Sequence, residues 1–208
     1  MPKPTRRDDA IVASNWVLST LSGLSGPLSP DTQVRRPCRV MSIKIRSETS
    51  GDAKSIEAVT ASAFSNASHT THTEHYIVNA LRKAGKLSVS LVAEADGIVI
   101  GHVAVSPVSI SDGASGWFGL GPISVLPQHR RRGIGSQLLR GALGLLRGRG
   151  ASGCVVLGDP AYYRRFGFQT DPNLVLPGVL PEYFQAISFD SSKPRGIVIY
   201  HEAFNARG

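Results

Sequence analysis

The stretch that decides the fold is Gln128-His129-Arg130-Arg131-Arg132-Gly133-Ile134-Gly135-Ser136, which joins a predicted strand to a predicted amphipathic helix. The first turn of a helix leaves backbone N–H groups without intrahelical partners, and the helix dipole makes that end positive. Glycine lets an anion approach the backbone closely because it has no Cβ atom. Residues 130–136 therefore predict a site for a phosphate or pyrophosphate group, to which the adjacent arginines add charge-assisted hydrogen bonds.

Two other phosphate-binding motifs do not fit this turn. A Walker A loop requires Gly-x-x-x-x-Gly-Lys-Ser/Thr, a string that the chain lacks. The dinucleotide fingerprint requires a third glycine at the position where Leu138 stands. The remaining alternative is an ordinary helix N-terminus with surface arginines, and the turn taken alone leaves both interpretations open.

The positive charge of the chain is concentrated around this turn. The 208 residues carry a formal net charge of +8, which by itself would suit a nucleic-acid-binding protein. Residues 113–158 contain no Asp or Glu, but they contain Arg130, Arg131, Arg132, Arg140, Arg147 and Arg149. A local concentration of this kind favours one polyanionic ligand over a nucleic-acid backbone, so no nucleic-acid partner is expected.

Composition divides the chain into an extension and one domain. Residues 1–40 are rich in Ser, Pro and Thr. A targeting peptide and a disordered extension are both open for them, and the acidic Asp8-Asp9 pair favours disorder. Residues 41–208 form the predicted domain, with no apolar run near the roughly 20 residues of a membrane helix. The two cysteines, Cys38 and Cys154, suit a reducing compartment, so we expect a cytoplasmic protein without a membrane partner.

Hydrophobic periodicity predicts a mixed α/β domain around the turn. The predicted strands are 42–46, 88–94, Ile98–Ile110, Trp117–Val125, Gly153–Leu157 and Gly196–Tyr200, and the predicted helices are 55–64 (capped by Ser55), 74–84, 134–147 and 160–166. Ala95-Asp96-Gly97 predicts a hairpin between two of these strands. Gly101 inside a strand indicates a bulge or a close backbone approach.

Two motifs in this order resemble the GNAT superfamily of N-acetyltransferases. The coenzyme A loop of that family, Gln/Arg-x-x-Gly-x-Gly/Ala after a strand, is matched by Arg130-Arg131-Arg132-Gly133-Ile134-Gly135. A later family motif, a Tyr four residues before Gly-Phe, is similar to Tyr163-Arg164-Arg165-Phe166-Gly167-Phe168. Gly158-Asp159-Pro160-Ala161-Tyr162-Tyr163 and the late Tyr200-His201-Glu202-Ala203-Phe204 are similar to the YhbS-like branch of predicted acetyltransferases. The resemblance covers about residues 42–205.

The resemblance implies a largely antiparallel sheet in which two neighbouring parallel strands, Trp117–Val125 and Gly153–Leu157, separate as a V. Acetyl-CoA would lie in this opening. The backbone of Ile123, Ser124 and Val125 would pair with the pantetheine arm, and one of its N–H groups would polarise the thioester carbonyl. The pyrophosphate would be held by the amides of Arg130, Arg131, Arg132, Gly133, Ile134, Gly135 and Ser136, with the side chains of Arg131 and Arg132 as partners for the outer phosphates.

Tyr163 matches the position of the family's general acid, which protonates the departing thiolate. The alternative for Tyr163 is aromatic packing against Phe166 and Phe168, and Tyr162 is expected to pack or to line the substrate site. The general base stays open, with Glu74, His75, His102, Glu94 or a chain of waters as candidates.

The implied activity is transfer of the acetyl group of acetyl-CoA to a primary amine of a small molecule or a protein, by direct transfer in a ternary complex. A ping-pong route through Cys154 is the less favoured alternative, because that residue lies in a buried type of strand. A non-catalytic acyl-CoA sensor is the alternative function. His69, His72 and His75 share a spacing of three, but no metal is expected. The protein is expected to be a monomer or a homodimer.

Overall fold

The computed structural model describes residues 42–65 and 72–207, so the predicted extension 1–40 and His69 lie outside the described residues. The strands are β1 Ile43–Ser47, β2 Val89–Ala95, β3 Ile98–Ile110, β4 Trp117–Val125, β5 Gly153–Leu157, β6 Leu174–Val175, β7 Phe184–Ser188 and β8 Gly196–Tyr200. The helices are α1 Ala53–Phe64, α2 Glu74–Lys83, α3 Ile134–Gly148 and α4 Pro160–Tyr163.

The strands form a mixed, largely antiparallel sheet, as the sequence predicts. Its order is β1-β2-β3-β4-β5-β7, and the neighbours are antiparallel except for the parallel pair β4–β5. The end of β3 also pairs with β8, which carries the short parallel strand β6. The predicted hairpin joins β2 to β3 through Asp96 and Gly97, both at positive φ, the geometry of a tight two-residue turn.

Helices cover the sheet where its strands present apolar side chains. Helix α3 buries one stripe, which includes Leu138, Leu139 and Ala142, in a core with β2, β3, β4 and β5. Ile56 of α1 and Val78 of α2 pack in a separate core with side chains from β2 and β3. The 3.6-residue period of the helices and the buried strands thus account for a sheet layered with helices.

The sheet opens between β4 and β5 because β4 bulges. The register of β4 against β3 passes from Val105↔Leu120 to Val103↔Ile123, so two residues of β4 oppose one of β3. Pairing of β4 with β5 ends at Leu120↔Val156. Beyond that point β4 continues along β3, whereas β5 continues along β7. The two strands therefore separate, and the predicted V-shaped opening is confirmed.

Gly101 fulfils both expectations for it. The register between β2 and β3 shifts next to its pairing with Ala93, which is a bulge. A Cβ atom at Gly101 would lie 3.1 Å from Leu138 Cδ1 and 3.1 Å from the carbonyl oxygen of Ser124. Glycine therefore allows α3 to approach the sheet closely beside the turn formed by residues 130–136.

The prediction for the start of α1 was wrong, and two strands were missed. Helix α1 begins at Ala53 and not after Ser55, because Asp52 fixes the preceding turn. Its carboxylate accepts hydrogen bonds from the backbone and hydroxyl of Thr49 and forms an ion pair of 2.7 Å with Arg46. Strands β6 and β7 fall in a stretch without clear alternation and form only by pairing with β8 and β5.

Candidate active site

The loop from β4 to α3 is shaped by two residues in the left-handed region. A 3₁₀ turn, Pro127–His129, follows β4. Arg131 then has φ +61° and Gly133 has φ +76°. Glycine adopts this conformation without cost, but for arginine it is uncommon and costs roughly 1–3 kcal/mol. Strained non-glycine residues of this kind are concentrated in ligand-binding loops and active sites.

Arg130 holds this loop against the rest of the fold. Its guanidinium donates to the carbonyl oxygen of Ala63 at the end of α1, and its Nε lies 3.5 Å from the carbonyl oxygen of Val125. Its backbone N–H donates to the carbonyl oxygen of Pro127. The Arg130 side chain therefore positions the turn, whereas the side chains of Arg131 and Arg132 are exposed.

The end of β4 presents backbone groups to the opening. The N–H of Leu126 donates to the carbonyl oxygen of Ile100 in β3. Backbone groups of successive residues in a strand point to alternate sides, so the N–H groups of Val125 and Ile123 point away from β3. No strand in the described part of the chain pairs with that side of β4 beyond Leu120. An extended ligand could pair with these groups as an added strand.

The first turn of α3 lies against this part of β4. A Cβ atom at Gly135 would lie 3.9 Å from Val125 Cγ2 and 4.0 Å from Ile123 Cδ1. The side chain of Ile134 is 1% exposed and anchors the turn in the core. The first N–H groups of the helix have no intrahelical acceptor. The first turn of α3 and the end of β4, to which the sequence assigns the cofactor, therefore lie side by side, and the absence of a side chain at Gly135 allows this close packing.

Ser124 differs from its neighbours, because its side chain faces the other side of the sheet. Its hydroxyl lies 3.3 Å from the Thr60 hydroxyl of α1, and the residue is 2% exposed. Its backbone N–H, like that of Leu126, points toward β3, so Ser124 does not present the donor to the opening that the sequence analysis expected of it.

Tyr162, which the sequence predicts to pack or to line the substrate site, lies beside the first turn of α3. A Cβ atom at Gly135 would lie 3.0 Å from the Tyr162 hydroxyl, which is also hydrogen-bonded to the Ser136 side chain. This phenol therefore lies over the first turn of α3. The Tyr-Tyr pair in the short helix α4 was the available signal, but which tyrosine faces the turn depends on how α4 packs.

Tyr163 points into the core below the turn. It is 3% exposed, with its ring edge-on to Phe168 at 5.8 Å between centroids and to Tyr162 at 5.0 Å. Burial raises the pKa of the Tyr163 phenol well above its usual range, and the neighbouring Tyr162 and Cys154 act in the same direction. The hydroxyl therefore stays protonated at neutral pH, as a proton donor must be before it acts.

Cys154 lies in β5 with no exposed surface. Burial raises the pKa of its thiol far above the ordinary range. The thiolate is the nucleophilic form, so Cys154 has the properties of an inert core residue.

Among the candidates for a general base, His102 is fully buried and belongs to a partly buried polar network. Arg82 donates to both oxygens of Glu48 (3.0 and 2.9 Å), Ser90 donates to Glu48, and His102 Nε2 lies 2.8 Å from the Ser90 hydroxyl. Burial lowers the pKa of His102 to about 3, so the ring is neutral. Because the Ser90 proton goes to Glu48, His102 Nε2 carries the proton that it donates to Ser90.

Two other candidates for the general base, Glu94 and Glu74, lie in structural positions. Glu94 forms an ion pair of 2.7 Å with Arg46, and Glu74 is 1% exposed at the start of α2. The network and these contacts leave the base unassigned. Within residues 42–65 and 72–207, no three His, Cys, Asp or Glu side chains cluster as metal ligands. Every helix in those two ranges is too short or too polar to cross a membrane.

Comparison with known proteins identifies the family. The profile of the acetyltransferase (GNAT) domain matches residues 86–170. The uncharacterised N-acetyltransferase YhbS of Escherichia coli K12 is 36% identical over 168 residues, which cover 77% of this chain and 98% of that protein. The chain belongs to the GNAT acetyltransferase family. The enzyme class predicted from the sequence, an acyltransferase, is confirmed by this membership.

Two solved structures of GNAT proteins share the fold. A GNAT family acetyltransferase from Brucella melitensis, in complex with acetyl-CoA, is 48% identical with a TM-score of 0.71, over 78% of this chain and 98% of that one. Escherichia coli YhbS in complex with CoA is 34% identical with a TM-score of 0.74, over 84% of this chain and 98% of that one. Acetyl-CoA and CoA are the cofactor and product that the family resemblance implies, and the YhbS-like resemblance is confirmed.

Proposed function

We propose that this protein transfers the acetyl group of acetyl-CoA to a primary amine of a small molecule or a protein. The observation that carries the proposal is that the free side of β4 and the first turn of α3 border one opening. The N–H groups of residues 131–136 hold the pyrophosphate, and those of Ile123 and Val125 hold the pantetheine arm. Bound acetyl-CoA supplies an acetyl group activated as a thioester.

The backbone of β4 also favours the chemical step. An N–H group of Ile123 or Val125 donates a hydrogen bond to the thioester carbonyl oxygen, where negative charge develops as the amine attacks. Because β4 is held by β3 on its other side, this donor is fixed before the reaction. A fixed donor needs no reorganisation when the charge appears.

Tyr163 supplies the proton that the departing thiolate takes up. Its raised pKa keeps the phenol protonated until negative charge develops on the sulfur. The attacking amine loses its own proton to a base or water that the structure leaves unassigned. One proton therefore leaves the amine, one reaches the sulfur, and the new C–N bond replaces the C–S bond.

Direct transfer in a ternary complex is favoured over a covalent acetyl-enzyme. Cys154 is the one cysteine within residues 42–65 and 72–207, and its thiol is fully buried with a raised pKa. A ping-pong route requires a nucleophile that is accessible and ionisable, and Cys154 is neither.

The test combines binding with a screen for the acceptor. Calorimetric titration with CoA establishes cofactor binding, and release of free thiol from acetyl-CoA is then followed with amines, polyamines, aminoglycosides and peptides with free N-termini. We expect release with one class of amine, and a loss of about 100-fold in kcat for Tyr163→Phe with little change in CoA affinity. Tyr76→Phe, which alters a partly exposed phenol on α2, is the matched control.

Each result separates the alternatives. Tight CoA binding without release by any amine would favour a non-catalytic acyl-CoA sensor. Unchanged kcat in Tyr163→Phe would remove Tyr163 from the mechanism while leaving the transferase function in place. A wild-type protein that binds no CoA at millimolar concentration would refute the proposed function.

A further inference from the structure

A cluster of stacked arginines and aromatic rings lies next to the first turn of α3. The guanidinium carbon of Arg165 lies 4.6 Å from the ring centroid of Tyr162, and that of Arg140 lies 5.4 Å from the ring centroid of Phe166. The two rings are 5.3 Å apart, so the four side chains are continuous. We call these four side chains the arginine platform.

The platform adjoins the turn that holds the pyrophosphate in the proposed function. The Tyr162 hydroxyl is hydrogen-bonded to Ser136 and lies over Gly135. Arg140 stands four residues after Ser136 on the same helix, which places it about 6 Å further along the axis. Burial raises the pKa of Tyr162, and the charges of Arg165 and Arg140 oppose that rise, since both lie near the phenol.

Both guanidinium groups keep their hydrogen-bonding edges open. A guanidinium that stacks on a ring uses its face, so the N–H donors at its rim stay available. Arg165 is held in place by a hydrogen bond of 3.2 Å from its Nε to the carbonyl oxygen of Tyr162. Both arginines are exposed, and neither forms an ion pair with a described residue. The platform therefore presents two oriented positive charges without an internal counter-ion.

CoA carries a second anionic group close to its pyrophosphate. Its pyrophosphate is attached to the 5′ carbon of a ribose whose 3′ carbon carries a separate phosphate. A ligand with its pyrophosphate on the first turn of α3 would therefore place a second anion one sugar ring away.

We propose that the arginine platform binds the 3′-phosphate of CoA, with Arg140 and Arg165 as its direct ligands. This inference rests on the proposed function. Tyr162 acts as a positioning residue, because its ring stacks on the guanidinium of Arg165 and its hydroxyl is hydrogen-bonded to Ser136. The platform makes the protein selective for the 3′-phosphorylated cofactor over dephospho-CoA, which has the same pyrophosphate and pantetheine arm.

The test is calorimetric titration of the full chain with CoA and with dephospho-CoA. For Arg140→Ala and Arg165→Ala we expect Kd for CoA to rise about tenfold, the loss of one charge-assisted hydrogen bond. Kd for dephospho-CoA should stay within about twofold of the wild-type value, because that ligand lacks the group. The control is Arg147→Ala: Arg147 is on the same helix, 4.6 Å from the ring of Phe189, but beyond the turn, so neither Kd should change.

The outcomes separate this inference from the proposed function. If the two variants weaken CoA and dephospho-CoA equally, the arginines act through general charge or folding, and the inference is overturned. If neither variant changes Kd for CoA while the wild type binds it, the inference also fails but the transferase function stands. If the wild type binds neither ligand, the proposed function fails first.

Discussion

Replacing Gly135 by alanine probes the closest contact of the proposed cofactor site. The added Cβ would lie 3.0 Å from the Tyr162 hydroxyl, so the phenol must move by a few tenths of an ångström. That movement costs about 0.5–1.5 kcal/mol in an off-rotamer side chain. Alanine in a helix offsets this by at most about 1 kcal/mol relative to glycine. The free energy of unfolding should therefore change by less than about 1 kcal/mol in either direction.

Ligand binding should change far more than stability in Gly135→Ala. The coenzyme A loop of the family accepts alanine at this position, but in this chain the new methyl group meets the Tyr162 hydroxyl and displaces the phenol from Ser136 over the first turn of α3. Losing one charge-assisted hydrogen bond to the pyrophosphate costs about 1.5–3 kcal/mol, which raises Kd for CoA about 10- to 100-fold. Urea unfolding and calorimetric titration with CoA measure the two quantities on one sample.

Gly144→Ala is the matched control on the same helix. A Cβ atom there meets nothing within 4 Å, so this variant should gain up to about 1 kcal/mol of stability with unchanged CoA affinity. The double variant Gly135→Ala/Tyr162→Phe removes the hydroxyl that the new methyl group meets. Wild-type affinity for CoA in a folded Gly135→Ala protein would refute the assignment of Gly135 to the cofactor site.

Three further predictions concern the fold around the opening. In Gly119→Ala the new Cβ would overlap the ring of Tyr200, so urea unfolding should show a loss of about 1–3 kcal/mol; in a Tyr200→Ala background the same change should cost much less, and equal costs in both backgrounds would contradict the packing argument. In the folded protein the pKa of His102 is lowered to about 3, so between about pH 6.5 and 3 the unfolded chain binds one more proton than the folded one. The free energy of unfolding is therefore highest above pH 6.5, and it should fall by up to about 1.4 kcal/mol for each pH unit of acidification below that value. His102→Gln should lose that part of the slope in unfolding curves at pH 7, 6 and 5, and an unchanged slope would show that His102 is not its source. Cys154, whose thiol has a pKa raised by burial, should resist alkylation at pH 8 until the protein is unfolded, as read by peptide mass spectrometry, and rapid native labelling would reopen the ping-pong route.

Local patterns in the sequence were sufficient for several parts of the fold. Asp96-Gly97 specifies a tight turn, and the apolar stripe of α3 specifies a buried helix face. The turn after β4 was predictable because it needs glycine for a positive φ at Gly133 and for space at Gly135. In each case the local conformation is determined by residues that lie within one turn or one helix.

Such local patterns do not predict which strands pair or which side chains form ion pairs. Strand β7 has an ordinary composition and is a strand because it pairs with the side of β5 opposite to β4. The start of α1 moved to Ala53 because Arg46, in β1, forms an ion pair with Asp52. Both depend on residues brought together by the sheet.

The sequence by itself indicated an anion-binding turn, since the glycines and arginines of residues 130–136 carry backbone donors and charge in one short segment, and the resemblance of its motifs to the GNAT family implied that the anion is acetyl-CoA. Only the tertiary structure decided which side chains surround that segment. It turned Arg130 inward onto α1 and placed Tyr162, with Arg165 stacked on it, over the first turn of α3. The physical reason is that a backbone turn is encoded locally, whereas the direction of a side chain follows from what packs against it.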